Sequence, residues 1–76
     1  MYKFKVLASI VEAVQINKSG EVIINGKKYL GDAGSWVVID HHGDQSTWSN
    51  EEFRKNFEPY DALAANYLNG IKSPGT

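Results

Sequence analysis

Tyr2-Lys3-Phe4-Lys5-Val6-Leu7-Ala8-Ser9-Ile10-Val11-Glu12-Ala13-Val14-Gln15-Ile16 places Tyr, Phe, Val, Ala, Ile, Glu, Val and Ile on its even positions, with Lys3, Lys5, Ser9 and Gln15 among the odd ones. That period of two belongs to a strand with one buried face. Fifteen residues exceed an ordinary strand, so a bend or bulge near Ala8 and Ser9 is expected to divide it into two segments. Working outward, Asn17-Lys18-Ser19-Gly20 carries turn chemistry before a second alternating strand, Glu21 to Asn25. Asn25-Gly26 is the strongest two-residue hairpin signal in the chain and sends the backbone into Lys27 to Leu30. After a break at Gly31-Asp32-Ala33-Gly34, Trp36-Val37-Val38-Ile39 is apolar on both sides, as a central strand covered on both faces would be. Asp40-His41-His42-Gly43-Asp44 then reads as a hairpin loop leading to a short strand around Ser46 to Trp48.

Helical spacing begins at Ser49, which forms a capping box with Glu52, while Phe53 and Phe57 lie one turn apart and Glu51 can pair with Lys55. Pro59 disfavours helix at Glu58 and ends this element. Asp61 can cap a second helix whose apolar positions are Tyr60, Leu63, Ala64, Tyr67, Leu68 and Ile71. Asn69-Gly70 is expected to stop it, and Ser73-Pro74-Gly75 to form a frayed tail. The expected fold is α+β: one domain over 1–76, with a strongly bent antiparallel sheet of about five strands, barrel-like in outline, and one or two C-terminal helices across an open end. Residues 1–59 would form the β-rich core with a short helix, and 60–76 a helical extension and tail.

Seventy-six residues support only a thin core, and the absence of cysteine removes disulfides as a supplement. Nine aromatic side chains favour self-association instead, so a homo-oligomer is expected. A net charge of −1 selects no polyanionic partner and argues against nucleic acid. No stretch approaches the roughly 18 apolar residues of a membrane span, and residues 1–13 lack the pattern of a signal peptide; a soluble intracellular, cytoplasmic protein is the expectation.

His41 and His42, flanked by Asp40 and Asp44, are the cluster with metal-ligand residue types, but on extended backbone neighbouring rings point apart, and a solvated loop is the expected reading. No metal, cofactor or catalytic constellation is expected. Glu12 shares a strand face with Ile10, Val14 and Ile16: either it contacts a ligand or partner, or the bulge turns it to solvent. Tyr2-Lys3-Phe4-Lys5 resembles a nucleic-acid stacking platform in composition, yet alternation separates its rings from its amines. Trp36 and Trp48 either pack together across a hairpin or line a groove. The stripe Tyr60, Leu63, Tyr67, Leu68 and Ile71 either closes the core or forms a self-association or partner surface.

Gly34-Ser35-Trp36-Val37-Val38-Ile39, a turn near Gly43, Glu51-Glu52-Phe53 and Phe57-Glu58-Pro59 together resemble small bacteriophage-encoded proteins with a Pro-Gly-Asp-aromatic strand, a hairpin and a short helix ending in an acidic-Pro pair. Val11-Glu12-Ala13-Val14-Gln15 is similar to their opening strand. The likeness spans Val6 to Pro59, with Ala33 in place of the family's Pro and Ser35 in place of its Asp. It implies a phage origin and a small β-rich fold. By analogy with other phage proteins, the leading expectation is a non-enzymatic protein that inhibits a host protein, such as an antiviral defence component, by steric blocking. A second reading is an oligomeric binder or sponge for a nucleotide-like signal, which requires cationic and aromatic groups to converge in a pocket, with Lys27, Lys28, Arg54, Trp36 and Trp48 as the available candidates. A small nucleic-acid-binding barrel is a third.

Overall fold

A computed structural model describes residues 1–70, so Ile71 and the expected tail lie outside the described residues. The chain forms β1 (Tyr2–Val6), β2 (Ser9–Gln15), β3 (Glu21–Ile24), β4 (Lys27–Leu30), β5 (Trp36–Ile39), β6 (Gln45–Trp48), α1 (Asn50–Asn56), β7 (Glu58–Pro59) and α2 (Ala62–Gly70). Five strands pair antiparallel in the order β6-β5-β2-β1-β7, and β3 and β4 form a separate two-stranded sheet. The fold is α+β, as the sequence predicts, but the main sheet is open at β6 and β7 and is not a barrel. Its β7 edge is only two residues long and carries Pro59, which has no N–H to extend the ladder.

The long alternating stretch divides not at a bulge but at a complete reversal. Val6 pairs with Ser9 across the two-residue turn Leu7-Ala8, with Leu7 at φ 54°. The parity of buried positions therefore changes: Phe4 points into the core from β1, whereas Val11 and Ala13 do so from β2. Asn25-Gly26 makes the expected tight turn, with φ values of 51° and 81° that suit a type I′ hairpin.

Each face of the sheet has its own apolar cluster. On the first face, Phe4, Val11, Ala13, Trp36 and Val38 pack against Phe53 and Phe57, which flank the end of α1, and against Ala64 of α2. Trp36 stacks on Phe53 with ring centroids 4.0 Å apart, and Phe4 meets both edge-on. On the second face, Ile16 and Val37 pack against Ile24, with Val14, Val22, Tyr29 and Ile39 partly buried around them. The central strand β5 is thus covered on both sides, as its unbroken apolar run requires. The helices lie across the first face rather than over the open end of a barrel.

Local hydrogen bonds agree with the sequence signals. Ser49 Oγ accepts from the Glu52 N–H at 3.1 Å, Lys55 Nζ lies 3.3 Å from Glu51 Oε1, and Asp61 Oδ1 accepts from the Ala64 N–H at 2.9 Å. Phe57 ends α1 in an extended conformation, and Glu58-Pro59 then pairs with β1. The helix α2 includes Asn69 and Gly70, the residues expected to stop it.

Candidate functional site

The β3–β4 hairpin covers only part of the second sheet face. It shields the end carrying Val14, Ile16 and Val37 and leaves the other half open. Cross-strand register defines what that open half presents. Gln45 pairs with Ile39, Ile39 with Glu12 and Glu12 with Lys3, so one row of side chains runs from β6 to β1. Tyr60 extends the row: its N–H donates to the Lys3 carbonyl at 3.0 Å, and its side chain is 52% exposed. A second row places Ile10 opposite Lys5 and Lys5 opposite Glu58. His41, two residues beyond Ile39, comes alongside Ile10, and both line a shallow cleft of about 200 Å³ with Lys3, Glu12, Ile39 and Asp40.

The chemistry of this surface is mixed. Ile10 and Ile39 supply apolar area, and the stems of Lys3 and Lys5 extend it. Charges alternate across the strands, Lys3 beside Glu12 and Lys5 beside Glu58. The ion pairs among the described residues lie elsewhere, at Lys28–Glu21 (3.5 Å) and Lys55–Glu51 (3.3 Å). Counting Asp40, the open face carries two cationic lysines against three carboxylates, with His41 at its margin.

The adjacent loop is a tight, self-bonded turn. Asp40 Oδ1 accepts from the His42 and Asp44 N–H groups, each at 2.9 Å, and Gly43 takes φ 86°. The two imidazoles do not diverge as extended backbone would require: in this turn their centroids lie 4.0 Å apart. Among the described residues no group of three His, Cys, Asp or Glu side chains is placed to hold a metal ion.

The structure brings Glu12 and Tyr60 to one surface and disperses the other sequence-predicted positions. Glu12 does share its face with Val14 and Ile16, but it is exposed because the hairpin stops short of it. Trp36 is fully buried, and its Nε1 donates to Asn50 Oδ1 at 2.9 Å, which removes it from any ligand surface. Trp48 stands directly opposite Trp36 and packs edge-on against Phe57, so the pair is core packing rather than a groove. Arg54 donates through Nε to the same Asn50 oxygen on the helix side of the sheet. Lys27 and Lys28 lie on β4, against the opposite face, where Lys27 sits 5.3 Å from the Tyr29 ring centroid and Lys28 pairs with Glu21. The five candidates for a nucleotide-like pocket therefore do not converge. The α2 stripe also divides: Tyr67 and Leu68 pack on the core, whereas Leu63 is 65% exposed.

Lys3, Lys5, Ile10, Ile39 and Glu58 complete the open face and were not legible as a site. The period-two pattern marks Lys3 and Lys5 as solvent-facing, but only the Leu7-Ala8 reversal puts them opposite Glu12 and Ile10. No protein-family model, curated protein or solved structure matches the chain, so its functional reading rests on this geometry.

Proposed function

We propose that the chain is a non-enzymatic binding protein that uses the open half of its sheet, centred on Ile10, Glu12 and Ile39, to occupy and block a partner protein. The form of that surface carries the reading. Apolar Ile10 and Ile39 interleaved with alternating charges match the mixed polar and apolar make-up of a protein–protein interface, whereas the cleft of about 200 Å³ is below the roughly 300–1,000 Å³ of small-molecule sites. Two lysines against three carboxylates also suit a protein surface better than a phosphate backbone. The resemblance to small phage proteins makes a bacterial host protein the partner class, with a defence component as one instance.

A photo-crosslinking amino acid installed at Ile10 tests this in cells expressing the protein. Both Ile10 and the control position Ile23 are exposed, but Ile23 projects from the β3–β4 hairpin. A discrete protein adduct from position 10 and none from position 23 is the expected result. Equal labelling at both positions, or no adduct at position 10, would overturn the assignment of this face.

A further inference from the structure

The sheet has two edges, and they are built differently. At β7, two residues and a proline limit further pairing. At β6, Gln45-Ser46-Thr47-Trp48 carries no charge, proline or bulge, and its first three residues are exposed. α1 begins at Asn50, just past this edge, and turns inward over the first face, placing Phe53 on Trp36 and Phe4 and Phe57 against Trp48.

Register identifies the backbone groups β6 leaves open. The Asp40 N–H donates to the Asp44 carbonyl at 3.0 Å, which makes Asp40/Asp44 a hydrogen-bonded pair of the β5–β6 ladder. Hydrogen-bonded pairs recur every second residue, so Ser46 and Trp48 direct their backbone groups toward Val38 and Trp36. The N–H and C=O groups of Gln45 and Thr47 consequently point away from the sheet.

We infer that β6 pairs antiparallel with β6 of a second copy of this chain, with Ser46 on the two-fold axis. Gln45 then opposes the partner's Thr47, and Thr47 the partner's Gln45. All four outward groups of each strand are satisfied, forming four intermolecular hydrogen bonds in total. The strand is suited to its own copy because it is neutral: no like charges meet within Gln45 to Trp48, and small hydroxyl side chains meet at the axis. Trp48 flanks that axis beside Ser46, whose Oγ accepts from Trp48 Nε1 at 2.9 Å. A two-fold perpendicular to the sheet leaves both open faces directed the same way, on one continuous ten-stranded surface. The pairing itself does not depend on what those faces bind.

An edge of this size predicts a weak, concentration-dependent dimer, and sedimentation of the full chain from about 10 μM to about 1 mM would detect it. Thr47→Pro removes an outward N–H that β5 does not use, and Thr47→Lys places a charge on the edge. The wild-type chain is expected to shift from monomer to dimer, both variants to remain monomeric with unchanged melting temperatures, and amide exchange at Gln45 and Thr47 to slow as the dimer forms. If Thr47→Pro loses its fold, Thr47→Lys decides. A wild-type monomer at about 1 mM, a dimer that survives Thr47→Lys, or a dimer whose Gln45 and Thr47 amides remain unprotected would each overturn the inference. In the last case, association uses another surface.

Discussion

Leu7 shows how one residue's backbone controls the surface opposite it. At φ 54° it occupies the left-handed region that favours glycine, and its side chain, 92% exposed, gains little from burial. Leu7→Gly should relieve strain of about 1–2 kcal/mol, partly offset by about 0.5–1 kcal/mol of added unfolded-state entropy. A small net stabilisation in urea unfolding is expected; a loss would mean that the leucine makes a contact the turn needs. Tyr67 has the opposite character. Its ring stacks on Tyr2 at 3.7 Å, and its hydroxyl accepts from the Gln15 N–H at 3.0 Å. Burial raises its pKa above the usual value, aided by Tyr2 and opposed by the Gln15 hydrogen bond. The unfolded chain therefore loses this proton first as pH rises above about 10, so the contribution is complete below that pH and declines above it. Urea midpoints for wild type should fall more steeply than those for Tyr67→Phe between about pH 9 and 11, and equal slopes would place the pH dependence elsewhere.

The helix α2 shows what spacing can and cannot say about an element. Tyr60, Leu63, Ala64, Tyr67 and Leu68 form a helical stripe in sequence, and Asp61 caps the helix as its position suggests. Yet the stripe is wider than the contact it makes. Ala64 is fully buried at the centre, Tyr67 and Leu68 flank it, and Tyr60 and Leu63 remain exposed. A small residue at the closest approach lets the helix lie near β1, so Ala64→Leu should overpack this contact and cost about 1–3 kcal/mol. A shift in the urea midpoint of that size is expected, and an unchanged midpoint would show that α2 can lift from the sheet without cost. Spacing identifies a face; its closest residue is chosen by the neighbouring surface.

At the scale of the molecule, coverage is uneven. Helices protect one face of the main sheet, while a two-stranded hairpin shields only part of the other. No helix of the described residues is long and apolar enough to cross a membrane. Glu12 lies where the second cover stops, exposed and opposite Lys3, so it contributes little to folding. Glu12→Gln should leave the melting temperature within about 4 °C of wild type while weakening the complex captured through position 10, since surface substitutions usually stay within about 0.5 kcal/mol. A large fall in melting temperature would make Glu12 structural, and unchanged capture would remove it from the interface.

Local signals were sufficient for the extended stretches of β1 to β6, the Asn25-Gly26 hairpin, the Ser49 cap and the end of α1 at Phe57, because each depends on residues within a few positions of one another, but not for β7, whose strand exists only through its pairing with β1. They also separated the inward-facing rings of Tyr2 and Phe4 from the exposed Lys3 and Lys5. The reversal at Leu7-Ala8 was hidden because neither residue is a typical turn former, and with it the pairing of Lys3 with Glu12 and Lys5 with Ile10. The burial of Trp36 under Phe53, the wide separation of Lys27 and Lys28 from Arg54, and the exposure of Glu12 depend on which surfaces meet. Sequence therefore determined most of the elements, and the inward-facing residues of β1 and β5, through backbone preference and periodicity. Tertiary structure alone decided the candidate site, because an open sheet face is defined by where its covering elements stop, and that depends on contacts between residues far apart in the chain.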